Sequence, residues 1–135
     1  MLKGVFNRPR YRTAVLGYKG VGFVPWYTLF EGAESYVTLY GINADEFRSF
    51  PSGHSILSIS AMYILPSLSW LFPMLRDKQL LLEIAGLMFG IIIMLTRTIL
   101  GAHYLSDVSA GAMLGTLLLL VYTVIQQRIS KSENK

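Results

Sequence analysis

From Val108 to Gln127 the chain runs 20 residues without a charge. A helix needs roughly 20 apolar residues to cross the hydrocarbon core of a bilayer. Loops and open strands are excluded there, because lipid cannot satisfy backbone polar groups. Two further stretches have the same character. Ser49 to Leu75 holds no charge other than what His54 carries, and Gln79 to Thr96 is broken only by Glu83. With 53% apolar residues and a mean hydropathy of +0.46 over 135 residues, a membrane class takes precedence over a soluble one. The expected fold is all-α: a membrane-embedded helical bundle of about three transmembrane helices plus an N-terminal interfacial segment.

The whole chain, 1–135, reads as one domain. Residues 1–50 form a cationic start and an interfacial loop, in which Trp26 and Tyr27 suit the headgroup level. Transmembrane helices are expected over 51–75, 79–98 and 103–126, followed by a polar, frayed tail over 127–135. Pro51 opens the first span with Ser52 as its N-cap, and Pro66 and Pro73 kink or end it. Arg76-Asp77-Lys78 and Gly101-Ala102 read as tight turns, so successive spans alternate in direction. The start of the first span, the end of the second and the start of the third then meet at one membrane face. The pairs Gly86/Gly90 and Gly111/Gly115 have the spacing that lets helices approach closely.

Charge and cysteine content exclude several classes. The net charge of +4 is spread over span ends and motif positions, not along the basic stripe that nucleic-acid binding needs. There is no cysteine, hence no disulfide framework, thiol nucleophile or thiolate metal site. No acidic cluster or zinc-type helix motif offers a metal site, and no cofactor is implied.

The polar residues at the shared face carry chemistry. Asp107 follows His103 by four positions, so the two share a helix face. The carboxylate can accept the proton of one imidazole nitrogen and leave the other as a base or nucleophile; the pair also suits a plain helix start. Arg97 can snorkel to headgroups or grip two phosphoryl oxygens with its planar fork. Ser52-Gly53-His54 lies at a helix start, where free backbone N–H groups bind anions. His54 there can act as a general acid or simply sit at the interface. Arg8 and Arg12 read as headgroup contacts or as an extension of the phosphate field.

Together these residues resemble the type 2 phosphatidic acid phosphatase superfamily. Its second motif, Pro-Ser-Gly-His, stands unchanged at 51–54. Its third is Ser-Arg, five residues, His, three residues, Asp, and is matched by Thr96-Arg97, His103 and Asp107 with threonine for serine. Its first is Lys, six residues, Arg-Pro; Lys3 and Arg10 fit the spacing, with Tyr11 in the proline position. The resemblance covers residues 3 to about 125. It implies metal-independent hydrolysis of a lipid phosphate or diphosphate through a phosphohistidine. Undecaprenyl diphosphate, phosphatidylglycerophosphate and phosphatidic acid are all substrates of that class. His103 would be the nucleophile, Asp107 its orienting group and His54 the general acid. Lys3, Arg10, Ser52, Gly53 and Arg97 would cradle the phosphate.

Membrane members of the superfamily usually have about six spans, with the first motif after the third. The resemblance therefore implies that preceding spans are missing here: either the chain is a truncated product or fragment, or it assembles with a second copy or a partner chain that supplies them. Arg76, Lys78, Arg128, Lys131 and Lys135 gather at the face opposite the motifs. The positive-inside rule then sets the site on the extracytoplasmic face of what reads as a bacterial cell membrane. A reading from another class is a truncated, non-catalytic membrane protein that binds anionic headgroups or assembles with a partner.

Overall fold

The computed structural model describes residues 2–16 and 20–133. Six α-helices occur among them: α1 (Leu2–Phe6), α2 (Tyr11–Val15), α3 (Ala33–Tyr40), α4 (Gly53–Leu71), α5 (Gln79–Ile99) and α6 (Leu105–Glu133). Short 3₁₀ turns at Ala44–Phe47 and Pro73–Lys78 precede α4 and α5. No strand occurs among the described residues. The protein is all-helical.

The three long helices form the body, with α4 between the other two. Their direction follows from where the glycines touch α4. A Cβ added at Gly86 would meet Met62 and Leu65, and one at Gly90 would meet Met62 and Ser58. As α5 advances, its contacts on α4 retreat, so the two are antiparallel. Gly111 faces Ser52 and Ser55, while Gly115 faces Ile56 and Ile59. The α6 contacts advance with α4, so these two helices are parallel. Close approach of backbones is what small-residue pairs permit in a bundle, and Ser55 and Ser58 of α4 are buried at these contacts.

Among the described residues, two helical stretches are long and apolar enough to cross a membrane, Pro73–Ile99 and Leu105–Ile125. The expected first span differs in two ways. The α-helix stops at Leu71, and Pro73 opens a 3₁₀ turn through Lys78 in place of helix to residue 75. Its five serines, His54 and Pro66 also keep it from being one of the two stretches apolar enough to span. At the other end of the chain, α6 continues to Glu133. Loss of hydrophobicity marks where a span ends, but good helix formers such as Gln and Arg carry the helix onward.

The N-terminal part is more ordered than a loop. Val21, Ala33 and Phe47 form a small buried cluster flanked by Phe30, Tyr36, Val37 and Ile42. The Phe30 and Phe47 rings stack at 5.7 Å. Trp26 and Tyr27 remain exposed, and Trp26 stacks on the buried Phe50. This layer lies over the site end of the bundle: the Arg12 N–H donates to the Gly101 carbonyl at 2.9 Å, in the turn joining α5 to α6. Gly101 has φ +63° and packs against the Arg12 side chain, a conformation that favours glycine.

Candidate active site

The motif residues converge through hydrogen bonds between chain segments. Ser52 caps α4 by accepting from the Ser55 N–H at 3.4 Å. The Ser52 N–H in turn donates to the Asp107 carbonyl at 3.0 Å, tying the start of α4 to the first turn of α6. The Arg97 carbonyl accepts from the N–H groups of Ala102 (3.1 Å) and His103 (3.2 Å), folding the end of α5 back onto the histidine. Four of the expected site residues, Ser52, Arg97, His103 and Asp107, are thereby brought together. Gly53 and His54 follow directly in the first turn of α4, with His54 exposed.

Asp107 is wholly buried and accepts from three donors. Its Oδ1 pairs with the Arg8 guanidinium, and its Oδ2 takes the Ser49 hydroxyl and, at 3.0 Å, the Tyr104 N–H. The direct His103–Asp107 hydrogen bond expected from their four-residue spacing is not made. His103 Nδ1 stands 3.7 Å from Oδ2, beyond hydrogen-bond reach. Ser49 flanks them, its Oγ 3.4 Å from Nδ1 and donating to Oδ2. His103 itself is 3% exposed.

Arg97 differs from Arg8. Its Nε is buried and has no hydrogen-bond partner. A buried donor without a partner is costly, and an anion seated here would satisfy it.

Arg8 corrects the reading of the cationic start. It is 1% exposed, not a headgroup contact. Its Nε donates to the Val24 carbonyl at 2.8 Å, and Nη1 donates to the Ser106 hydroxyl at 2.9 Å as well as to Asp107. The guanidinium also lies 4.0 Å from the centre of the Tyr104 ring, a cation–π distance. The Tyr104 hydroxyl is buried without a hydrogen bond, and burial pushes its pKa up. Arg10, placed in the phosphate cradle by spacing, turns instead to the loop, where its Nε donates to the Asp45 carbonyl at 3.0 Å. The Lys3 side chain lies outside the described residues. The signal that distinguishes Arg8 was present in the sequence: Arg8-Pro9 is an Arg-Pro dipeptide, as the first motif requires. Counting back from it puts Met1 in the lysine position.

Comparison with known proteins gives the family. The sequence profile described as "PAP2 superfamily" matches residues 1–131. The chain belongs to the PAP2 superfamily. A curated relative is phosphatidylglycerophosphatase B of Bacillus subtilis (strain 168), 29% identical over 92 residues. That match covers 64% of this chain and 43% of the relative, so the chain spans less than half the length of the relative it matches. No solved structure matches significantly. As a PAP2 member with two apolar helices of spanning length, the chain is a membrane protein.

Proposed function

We propose that this PAP2 member hydrolyses a lipid phosphate or diphosphate without a metal, through a phosphohistidine on His103. The buried Arg97 Nε without a partner, on the residue whose carbonyl accepts from the His103 N–H, is the observation that carries this reading. A phosphoryl group seated against Arg97 and the start of α4 would meet a guanidinium fork and outward-facing N–H groups. His103 Nε2 would attack phosphorus while the bond to the leaving oxygen breaks. His54, in the first turn of α4, would protonate that oxygen. Water would then cleave the P–N bond, releasing phosphate and regenerating the imidazole. Fixed cations and backbone dipoles meet the developing charge, as preorganised electrostatic catalysis requires.

In this reading α4, α5 and α6 all cross the bilayer, and the site opens on the extracytoplasmic face, opposite Arg76, Lys78 and Arg128. The B. subtilis relative's name favours phosphatidylglycerophosphate as substrate. Undecaprenyl diphosphate and phosphatidic acid are the alternatives to run beside it. A second copy or a partner chain would cover the outer faces of α5 and α6. The deciding assay is phosphate release from each lipid in detergent with EDTA, for the wild type and His103→Ala. Release that resists EDTA, is blocked by vanadate and disappears in the variant supports the proposal. Release that needs a metal and survives the substitution overturns it.

A further inference from the structure

Ser49 belongs to none of the motifs, yet its hydroxyl flanks the His103–Asp107 pair and reaches both. It is 0% exposed, and its N–H donates to the Arg8 carbonyl at 3.1 Å, so its backbone is held from the same side as the carboxylate. Proton counting fixes what its hydroxyl can do. The Asp107 carboxylate, ion-paired with Arg8, only accepts. A hydroxyl has one proton, and Ser49 gives it to Asp107 Oδ2. Toward His103 Nδ1, at 3.4 Å, Ser49 Oγ then presents lone pairs alone. The ring nitrogen facing it must carry the hydrogen, and the neutral imidazole is left with an unprotonated Nε2.

We propose that Ser49 is a positioning residue that relays the hold of Asp107 to His103, selecting the Nδ1–H tautomer and presenting Nε2 as the free nucleophilic nitrogen. The consequence for turnover rests on the reading of His103 as nucleophile; the tautomer itself does not. The chain has two histidines, so ring ¹⁵N spectra of the full chain in detergent contain two imidazoles, and His54→Gln assigns them. At a pH of about 8.5, where an ordinary imidazole is neutral, His103 in the wild type should be a single Nδ1–H species. In Ser49→Ala it should become a tautomer mixture, and in Ser49→Thr, which keeps the hydroxyl, the Nδ1–H species should persist. On the active enzyme Ser49→Ala should lower kcat about tenfold to a hundredfold and leave KM within about twofold.

An Nε2–H tautomer in the wild type overturns the proposal without any variant. So does an Nδ1–H tautomer that Ser49→Ala leaves unchanged. Loss of the Nδ1–H tautomer in Ser49→Ala, in a chain that never turns over lipid phosphate, supports the Ser49 relay and removes the nucleophile reading instead.

Discussion

The Arg8 guanidinium and the Asp107 carboxylate form an ion pair across 99 positions of sequence, with both side chains buried. The pair joins the N-terminal layer to the first turn of α6, and it makes Arg8 a structural partner of the site rather than part of its surface. Removing one member of a buried pair leaves an uncompensated charge, at a cost of about 3–5 kcal/mol. Arg8→Ala should therefore lower the thermal midpoint in detergent sharply. Asp107→Asn, which leaves Arg8 without a counterion, should do the same. The check is a thermal unfolding curve followed by tryptophan fluorescence.

Arg97 should behave in the opposite way. Its Nε has no partner in the fold, so Arg97→Lys should leave the thermal midpoint nearly unchanged. The lysine keeps the charge but loses the planar fork. One hydrogen bond to a charged group contributes about 1.5–3 kcal/mol, so inhibition by vanadate should weaken roughly ten- to a hundredfold. The proposed function thus assigns stability to Arg8 and phosphate affinity to Arg97, which paired melting and inhibition curves can separate.

Two of the glycine contacts on α4, at Gly111 and Gly90, should respond unequally to alanine. A Cβ at Gly111 would run into the Ser52 carbonyl oxygen, which is backbone and cannot yield without moving the start of α4. Overpacking of this kind costs about 1–3 kcal/mol, and the Ser52–Asp107 hydrogen bond is the nearest casualty. At Gly90 the closest atoms belong to the flexible Met62 side chain. There the gain in helix propensity, about 0.8–1 kcal/mol, should offset part of the crowding. Gly111→Ala should lower both the thermal midpoint and activity, while Gly90→Ala, which also crowds the Ser58 carbonyl, should lower the midpoint by less.

Glu46 gives the N-terminal layer a pH dependence. Its carboxylate accepts from the Arg12 guanidinium and from the Thr13 hydroxyl at 2.6 Å. These bonds, the one from Arg12 first, hold its pKa below the ordinary carboxylate range. The unfolded chain, with glutamate near about 4.3, then binds the proton more readily than the folded one. The stabilisation is full above that value and is lost as pH falls through the lower folded pKa. Arg12 is partly exposed, so the contribution is modest. Melting curves taken at successively lower pH should show this loss in the wild type, and a smaller one in Glu46→Gln.

The parts of this molecule legible in the sequence are those set by local pattern. The apolar runs locate α5 and α6, and the glycine pairs identify the faces that meet α4. Motif spacing puts Ser52, Arg97, His103 and Asp107 at one end of the bundle. What the pattern does not carry is tertiary. The apolarity of the last span stops near Gln127, yet the helix runs to Glu133, because propensity and hydrophobicity part company there. Arg10 matches the lysine spacing, but Arg8 holds the buried position, and only the adjacent Pro9 distinguishes the two in sequence. Ser49 has no signature at all. Its role arises because the residues before Pro51 are drawn against α6, which no local rule encodes.

The measurement that reaches the central claim most directly is the covalent state of His103 during turnover. Lipid substrate labelled in the phosphate should be mixed with the enzyme in EDTA, quenched in base within a turnover and mapped by mass spectrometry. The account predicts a base-stable, acid-labile phosphate on His103 that is missing in His103→Asn, with phosphate release lost alongside it. Release that continues undiminished in His103→Asn, or label residing on another residue, would contradict it.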